Sequence, residues 1–233
     1  MPASAPTSWR PALCFAVAMV AAQQAATAAP LTARGNEPGW QVEISDTAIT
    51  IRTIDAGTVT VTPAPTPTTA KGVATYRATV DGRPFSLVVA PKICTDTMSG
   101  MPHPKTARVI FGGRSLKGCA GDPANLLHGD WRIEAIGGKR IVKGSKPTLA
   151  FDPAGRIHGN GSCNRYFGSF KLTGEGLTIS ETGASMMMCD PPLMDQERAL
   201  LKGLEGVDRF KATPSGRLHL LGRDGRSAVS LRR

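Results

Sequence analysis

The sequence contains few of the residues on which catalytic and nucleic-acid-binding sites are built. It has four histidines, and none lies in a recognisable motif: His103, His128, His158 and His219. No nucleophile lies in a pattern that would supply the activating base and acid that covalent catalysis requires. Aromatic residues make up 5% of the chain, and basic residues do not cluster with them as they do in nucleic-acid-binding modules. We therefore predict no enzyme activity, no cofactor and no nucleic-acid partner.

Long hydrophobic runs are absent except near the N-terminus. Residues 11–22 form a 12-residue apolar run, whereas a membrane span needs about 20. The run follows one basic residue, Arg10, and precedes Ala26-Thr27-Ala28, which has the pattern of a cleavage site. These are the parts of a secretory signal peptide. We predict a signal peptide over residues 1–28, a periplasmic location and no membrane span in the mature form; an uncleaved anchor is disfavoured by the short run.

Cysteine is scarce and regularly spaced. Cys14 would be lost with the signal peptide, which leaves an even number for an oxidising compartment: Cys94, Cys119, Cys163 and Cys189. Three connectivities are open, and we favour 94–119 with 163–189 because each pair lies inside one candidate domain. Redox-active or metal-binding thiols are the alternative, but no CxxC or CxH spacing is present.

The charge is basic throughout. The formal net charge is +10, and loss of Arg10 leaves +9. Residues 29–125 carry ten basic and seven acidic residues, and residues 126–233 carry 17 and 11, so the second half has the larger excess. This excess indicates either a solvated basic face or an anionic partner such as lipopolysaccharide, an acidic polymer or a membrane surface.

Short strands with period-two alternation dominate the sequence pattern. In the first half they are predicted over 41–44, 48–54, 74–80, 84–89 and 107–111. A segment rich in glycine and proline, residues 118–123, breaks the pattern. We therefore predict a first domain over 29–125 and a second over 126–233.

The second half adds one helix to its strands. Strands are predicted over 131–136, 148–151, 156–158, 166–172, 176–180, 207–212, 217–221 and 227–231. Pro191-Pro192 is typical of a helix start, and apolar residues recur at helical spacing up to Leu204. The predicted fold class is mainly β, with two small antiparallel domains. Each is a curved sheet or open barrel, and the C-terminal one has a single packed helix.

The second half also carries a set of ordered motifs: Trp131-Arg132, Leu149-Ala150-Phe151, residues 159–168, residues 185–189 and Glu197. In this order they resemble META domains, the family of the heat-inducible bacterial protein HslJ. Ser185 and Met186 stand where threonine and arginine are usual. The resemblance implies a small β-rich domain with one helix and a link to envelope stress and antibiotic tolerance. It does not imply an enzyme activity.

Three segments of the first half, residues 34–40, 94–100 and 118–120, resemble an uncharacterised domain of exported envelope lipoproteins that is often found beside META domains. Within them, Asn36, Glu37, Asp96 and Ser99 are polar candidates for a site. We favour a turn at Asp96–Ser99, tied down by the 94–119 bridge, because aspartate and serine bond their own backbone in turns.

The residues after Cys163 are the candidate ligand or surface site, together with the helix acid: Asn164, Arg165, Tyr166 and Glu197. Asn164 either satisfies a buried turn or lies near the open end of a barrel. Such mouths commonly hold ligands, and Arg165 would then guide an anionic headgroup.

Methionines form two clusters: Met98 and Met101 with His103, and Met186, Met187, Met188 with Met194. Thioethers with an imidazole suit Cu(I). Alternatively, methionines fill irregular gaps in a core, in which case Met187 and Met194 would line the interface between helix and sheet.

These observations predict a non-enzymatic periplasmic protein of envelope stress or binding, acting through a surface or barrel mouth of the META domain on an unknown envelope protein. The alternative is a carrier or sensor of a small apolar or anionic ligand, with copper binding as a variant.

Overall fold

A computed structural model describes residues 30–53 and 57–233. The predicted signal peptide, residues 1–28, lies outside the described residues, as does Cys14. Within the described part of the chain, no helix has both the length and the hydrophobicity needed to cross a membrane.

The first half forms a curled antiparallel sheet. Its elements are β1 (Leu31–Asn36), β2 (Gly39–Ile44), β3 (Ile49–Thr53), β4 (Gly57–Val61), β5 (Thr68–Ala70), β6 (Val73–Val80), β7 (Arg83–Ala90), β8 (Cys94–Thr95), β9 (Pro102–His103), β10 (Lys105–Phe111) and β11 (Arg114–Ala120). The spatial order is β4-β3-β2-β1-β11-β10-β7-β6-β5, and β8 pairs separately with β9. Curling brings β4 near β6. The predicted strands are present in the described residues, although residue 54, the last of the predicted strand 48–54, lies outside them. Strands β6 and β7 form a hairpin that turns at Asp81-Gly82.

The second half forms another antiparallel sheet with a helix against it. Its elements are α1 (Ala124–Leu127), β12 (Gly129–Ile136), β13 (Lys139–Arg140), β14 (Thr148–Phe151), β15 (Arg156–Asn160), β16 (Arg165–Leu172), β17 (Leu177–Ala184), α2 (Pro191–Glu205), β18 (Val207–Ala212), β19 (Arg217–Gly222) and β20 (Ser227–Arg232). The order is β17-β16-β15-β14-β12-β20-β19-β18, with β13 beside β12. The mainly-β fold class is confirmed. The one-turn helix α1 and the short β13 are not indicated by the sequence pattern.

Helix α2 lies where the sequence predicts it, because its residues favour a helix at both ends and along one face. Proline occupies its first turn, where a missing N–H costs nothing. Leu200 and Leu204 are fully buried, and Glu197 is buried on the same face of the helix. Gly206 follows the last helical residue. The helix thus brings one carboxylate into an otherwise apolar interface.

Two hydrophobic clusters lie against the two sheets. The first is built around Trp40 and the inward side chains of β7, and the second around Trp131 and the buried leucines of α2. Met101, in the segment between β8 and β9, belongs to the second cluster although it lies in the first half of the chain. The two halves therefore share one buried side chain.

Both disulfides have the predicted local pairing. Cys94 is joined to Cys119 and Cys163 to Cys189, with sequence separations of 25 and 26. The first ties β8 to β11, and the second ties the turn between β15 and β16 to the segment that leads into α2. In the chain-entropy account, loops of this size each stabilise a fold by about 3–4 kcal/mol.

Candidate functional site

The centre of the candidate site is a buried pair formed by Asn164, in the turn before β16, and Glu197 of α2. The backbone N–H of Asn164 donates to Glu197 Oε2 at 2.6 Å, and its side-chain Nδ2 donates to Glu197 Oε1 at 2.8 Å. Both carboxylate oxygens thus accept hydrogen bonds from one residue, as a buried polar group requires. The contact joins the β15–β16 turn to the helix.

Gly161 makes this approach close. A Cβ placed on Gly161 would lie 2.5 Å from Glu197 Oε2 and 2.7 Å from its Cγ. Gly161 also donates its backbone N–H to the carbonyl of Asn164 at 2.8 Å. The absent side chain at Gly161 therefore leaves the space that the Glu197 carboxylate occupies.

The other side of the Asn164 amide holds a loop that we call the methionine loop, residues 185–188. Asn164 Oδ1 accepts from the backbone N–H of Met187 at 2.7 Å and from Ser185 Oγ at 2.8 Å, and Nδ2 lies 3.3 Å from the carbonyl oxygen of Met187. The side-chain amide thereby bonds both the N–H and the carbonyl of Met187, as the backbone of a neighbouring strand would. The bond between Cys163 and Cys189 fixes the same segment at its end.

The three methionine side chains of this loop point into solvent. Met186 is 99% exposed, Met187 59% and Met188 89%. Phe167, on the adjoining strand β16, is 63% exposed. The expectation that Met187 lines the helix–sheet interface is wrong, because its side chain is exposed while its backbone is hydrogen-bonded to Asn164. Met194, on α2, is half-buried.

Arg165 and Tyr166, the other two predicted site residues, point in opposite directions. The Arg165 side chain is exposed, while its carbonyl accepts from the backbone N–H of Ser185 at 3.0 Å. Tyr166 is buried in the second core, and its hydroxyl donates to the carbonyl of Thr148 at 2.6 Å. Burial raises the pKa of Tyr166. Asn164 and Glu197 are thus brought together, whereas Tyr166 belongs to the core.

The first methionine cluster is divided between surface and core. Met98 is exposed, whereas Met101 is buried in the second core. His103 is also buried: its Nδ1 lies 2.8 Å from the carbonyl oxygen of Gly121, and its Nε2 has no hydrogen-bond partner among residues 30–53 and 57–233. In the described ranges, no group of three or more histidine, cysteine, aspartate and glutamate side chains is arranged to hold a metal ion.

Asp96 forms the turn that the sequence predicts. Its Oδ1 accepts from the backbone N–H groups of Met98 and Ser99 and from Ser99 Oγ, at 3.0, 2.8 and 2.9 Å. Its Oδ2 accepts from Asn36 Nδ2 at 3.2 Å. Burial by itself would raise the pKa of Asp96, but the hydrogen bonds from Ser99, Asn36 and Met98 outweigh it and lower the pKa to about 2.

Two open grooves lie on the outer faces of the sheets. One, of about 850 Å³, follows β1, β10 and β11 beside the Cys94 loop. The other, of about 940 Å³, follows β12, β19 and β20 and is lined by arginines. Sequence reasoning missed this second groove because Arg132, Arg217 and Arg232 are far apart in the chain. Only the pairing of their strands could have revealed it.

The fold and the site define a disulfide-bridged β domain closed by one helix, in which a buried amide–carboxylate pair supports an exposed loop. Residues 124–233 match the family model described as META domain. This part of the chain is therefore a META domain, and the resemblance noted for the second half is confirmed at the level of the family.

Two solved structures are similar to part of the chain. One is an NMR structure of a protein that is 24% identical, and the similarity covers 48% of this chain and 94% of that one with a TM-score of 0.39. The other is an NMR structure of a protein from Burkholderia xenovorans, also 24% identical, covering 48% of this chain and 88% of that one with a TM-score of 0.41. A comparison with curated proteins gave no match.

Proposed function

We propose that this protein is a non-enzymatic envelope protein of the HslJ-like type that binds apolar segments of other envelope proteins on its methionine loop. The observation that carries the proposal is that Asn164 fixes the loop backbone while three methionine side chains remain exposed. A periplasmic location is supported by the signal peptide predicted from the sequence. It is also supported by the resemblance of the first half to an exported envelope domain and by two disulfides, which persist in oxidising compartments.

Methionine suits this task because its side chain is unbranched, flexible and polarisable. Such side chains are common at surfaces that bind many partners, since they adapt to apolar segments of different shape. A backbone held by Asn164 and by the Cys163–Cys189 bond supplies a fixed base for these mobile side chains. Phe167, exposed nearby on β16, adds the aromatic surface that dominates many binding interfaces. Envelope proteins that unfold under stress expose apolar segments, and such segments would pack against the exposed methionine side chains.

The test uses the full mature chain and a permanently unfolded protein whose cysteines are carboxymethylated. We expect the double variant Met186→Gln with Met188→Gln to bind this probe at least about tenfold more weakly, because burial of each methionine contributes about 1.5–3 kcal/mol. Met98→Gln, at an exposed position beside the first sheet, is the matched control and should bind as the wild type does. Equal binding by both variants, or no binding by the wild type, would contradict the proposal.

A second candidate function, a carrier or sensor of a small ligand, is favoured by the same three thioethers in its copper variant. Soft sulfur ligands suit Cu(I), and Met186, Met187 and Met188 present theirs to solvent. Titration with Cu(I) against a competing chelator, without added thiols, should then give binding that Met186→Gln with Met188→Gln abolishes. Native mass spectrometry of protein from its own periplasm separates the two functions. A mass that exceeds that of the mature protein by a discrete amount supports a carrier. A mass equal to that of the chain without its signal peptide and without four hydrogens, lost in forming two disulfides, supports a protein partner.

A further inference from the structure

Three arginines from three adjacent strands form a line on the outer face of the second sheet. Arg132 of β12 lies directly opposite Arg232 of β20, and Arg232 lies directly opposite Arg217 of β19. We call these three residues the arginine row. Because neighbouring strands are about 4.8 Å apart, the row extends over about 10 Å. All three side chains are exposed.

The groove around the row has a large excess of positive charge. It is also lined by Arg140 and Arg233, while Glu134 is the single acidic residue among the described residues that line it. Five arginines and one glutamate leave a net charge of +4. Glu134 is shared: its carboxylate lies 3.2 Å from Arg217 Nε and 3.8 Å from Arg232 Nη1.

Two of the arginines are uncompensated. In the described ranges, Arg132 and Arg140 have no ion pair, and no hydrogen bond joins their side chains to another residue. Like charges placed directly opposite each other on paired strands destabilise a sheet. Arg132 and Arg232 are such a pair, so the unliganded protein retains a repulsion that a bound anion would relieve.

The ends and floor of the groove are already ordered. The Arg233 guanidinium lies 4.7 Å from the centroid of the Trp131 ring and donates to the carbonyl of His128 at 2.8 Å. His219 Nδ1 and Ser230 Oγ are 3.1 Å apart and form a cross-strand pair two residues along β19 and β20 from Arg217 and Arg232. Donors held in position in this way lose less entropy when they bind a ligand.

We propose that the arginine row binds a ligand that carries two or more phosphate groups within about 10 Å. Guanidinium groups donate paired hydrogen bonds to oxyanions. Phosphate suits neighbouring guanidiniums because each phosphate group carries negative charge and offers more than one acceptor oxygen, so that two arginines can donate to it together. The phosphates come from a free oligophosphate or from adjacent lipid headgroups. The arginine row is a different surface from the methionine loop, so the two proposals stand independently.

The experiment measures binding of two probes to the full mature chain. Isothermal titration calorimetry reports binding of tripolyphosphate, and co-sedimentation reports binding to phosphatidylglycerol vesicles, with phosphatidylcholine vesicles as the neutral comparison. We expect Arg132→Gln with Arg232→Gln to weaken binding by about tenfold or more, since each charge-assisted hydrogen bond contributes substantially. Arg223→Gln with Arg226→Gln removes the same charge from an exposed turn outside the groove and should bind nearly as the wild type does.

A stability measurement distinguishes a binding site from a merely structural feature. Without phosphate and at low salt, Arg132→Gln should raise the melting temperature because it removes the repulsion with Arg232. At the same high probe concentration, the variant should show a smaller upward shift than the wild type, because the stabilisation by a bound ligand increases with the logarithm of its affinity. A general structural role for Arg132 would lower the melting temperature in both conditions.

Selective loss of tripolyphosphate binding in the groove variant supports a free oligophosphate, and selective loss of vesicle binding supports lipid headgroups. No binding of either probe by the wild type, or equal loss in the groove and turn variants, overturns the proposal.

Discussion

Asn164 links helix α2 to the methionine loop through a single side chain. Its nitrogen atoms donate to both carboxylate oxygens of Glu197, and its amide oxygen accepts from the backbone of Met187. The carboxylate on the helix therefore sets the orientation of the amide, and the amide sets the position of the loop. This dependence makes the loop sensitive to changes that do not touch it.

Asn164→Ala should lower the free energy of unfolding by about 2–4 kcal/mol. It leaves the buried carboxylate of Glu197 with fewer donors and the Met187 N–H without its acceptor, and each unsatisfied buried group is costly. Urea unfolding measures the loss. Arg165→Ala is the control, since its side chain is exposed, and a change there should stay within about 0.5 kcal/mol. Equal losses in both variants would refute the central role of Asn164.

Gly161→Ala should be destabilising by about 1–3 kcal/mol, the usual cost of forcing atoms into a packed site. The added Cβ would collide with the Glu197 carboxylate, at 2.5 Å from Oε2. Gly174→Ala is the matched control, because a Cβ there meets no atom within 4 Å among the described residues. Thermal melting of both variants checks the prediction, and an unchanged Gly161→Ala would show that Glu197 can move without loss.

Removal of either disulfide should cost about 3–4 kcal/mol. The two loops differ by one residue in length, so the chain-entropy account gives them nearly the same contribution. Urea unfolding of Cys94→Ala with Cys119→Ala, and separately of Cys163→Ala with Cys189→Ala, measures both. A much larger loss in one pair would show that its bridge also maintains local packing.

Acid should remove the contribution of Asp96. Its pKa is about 2 in the folded protein against an ordinary value of 3.8, so its stabilisation is present above about pH 4 and is lost as the pH falls toward 2. The difference corresponds to about 2 kcal/mol.

Unfolding free energies at pH 6 and at pH 2 should therefore differ less in Asp96→Asn than in the wild type, by about this amount. Asp46→Asn, in an exposed turn, should keep the full wild-type difference. A wild-type pH dependence in Asp96→Asn would show that other carboxylates are responsible.

Local sequence signals predicted much of this fold. The proline pair and leucine spacing placed helix α2, and the cysteine spacing gave the correct bridges, because both are properties of nearby residues. Period-two alternation located most strands for the same reason. The predicted burial of Met187 was wrong. Its backbone N–H donates to Asn164 Oδ1, and this contact joins two segments that are more than 20 residues apart in the chain.

The arginine row was not predictable from the sequence for a related reason. Arg132, Arg217 and Arg232 look like scattered surface charges until β20 is placed between β12 and β19. A shift of one residue in either pairing would send one arginine to the opposite face of the sheet. The candidate pair of Asn164 and Glu197 was named from the family pattern, but its role in holding the methionine loop required atomic contacts.

Met101 has a consequence for any attempt to study the META domain by itself. Its side chain comes from the first half of the chain, yet it packs in the second core with residues such as Leu127. A fragment beginning at residue 124 would carry a vacancy the size of a methionine side chain, and vacancies of that kind cost a fold about 2–5 kcal/mol. The two halves are thus not independent modules, because the first half contributes a side chain to the core of the second. Separating them would lower the stability of the META domain itself.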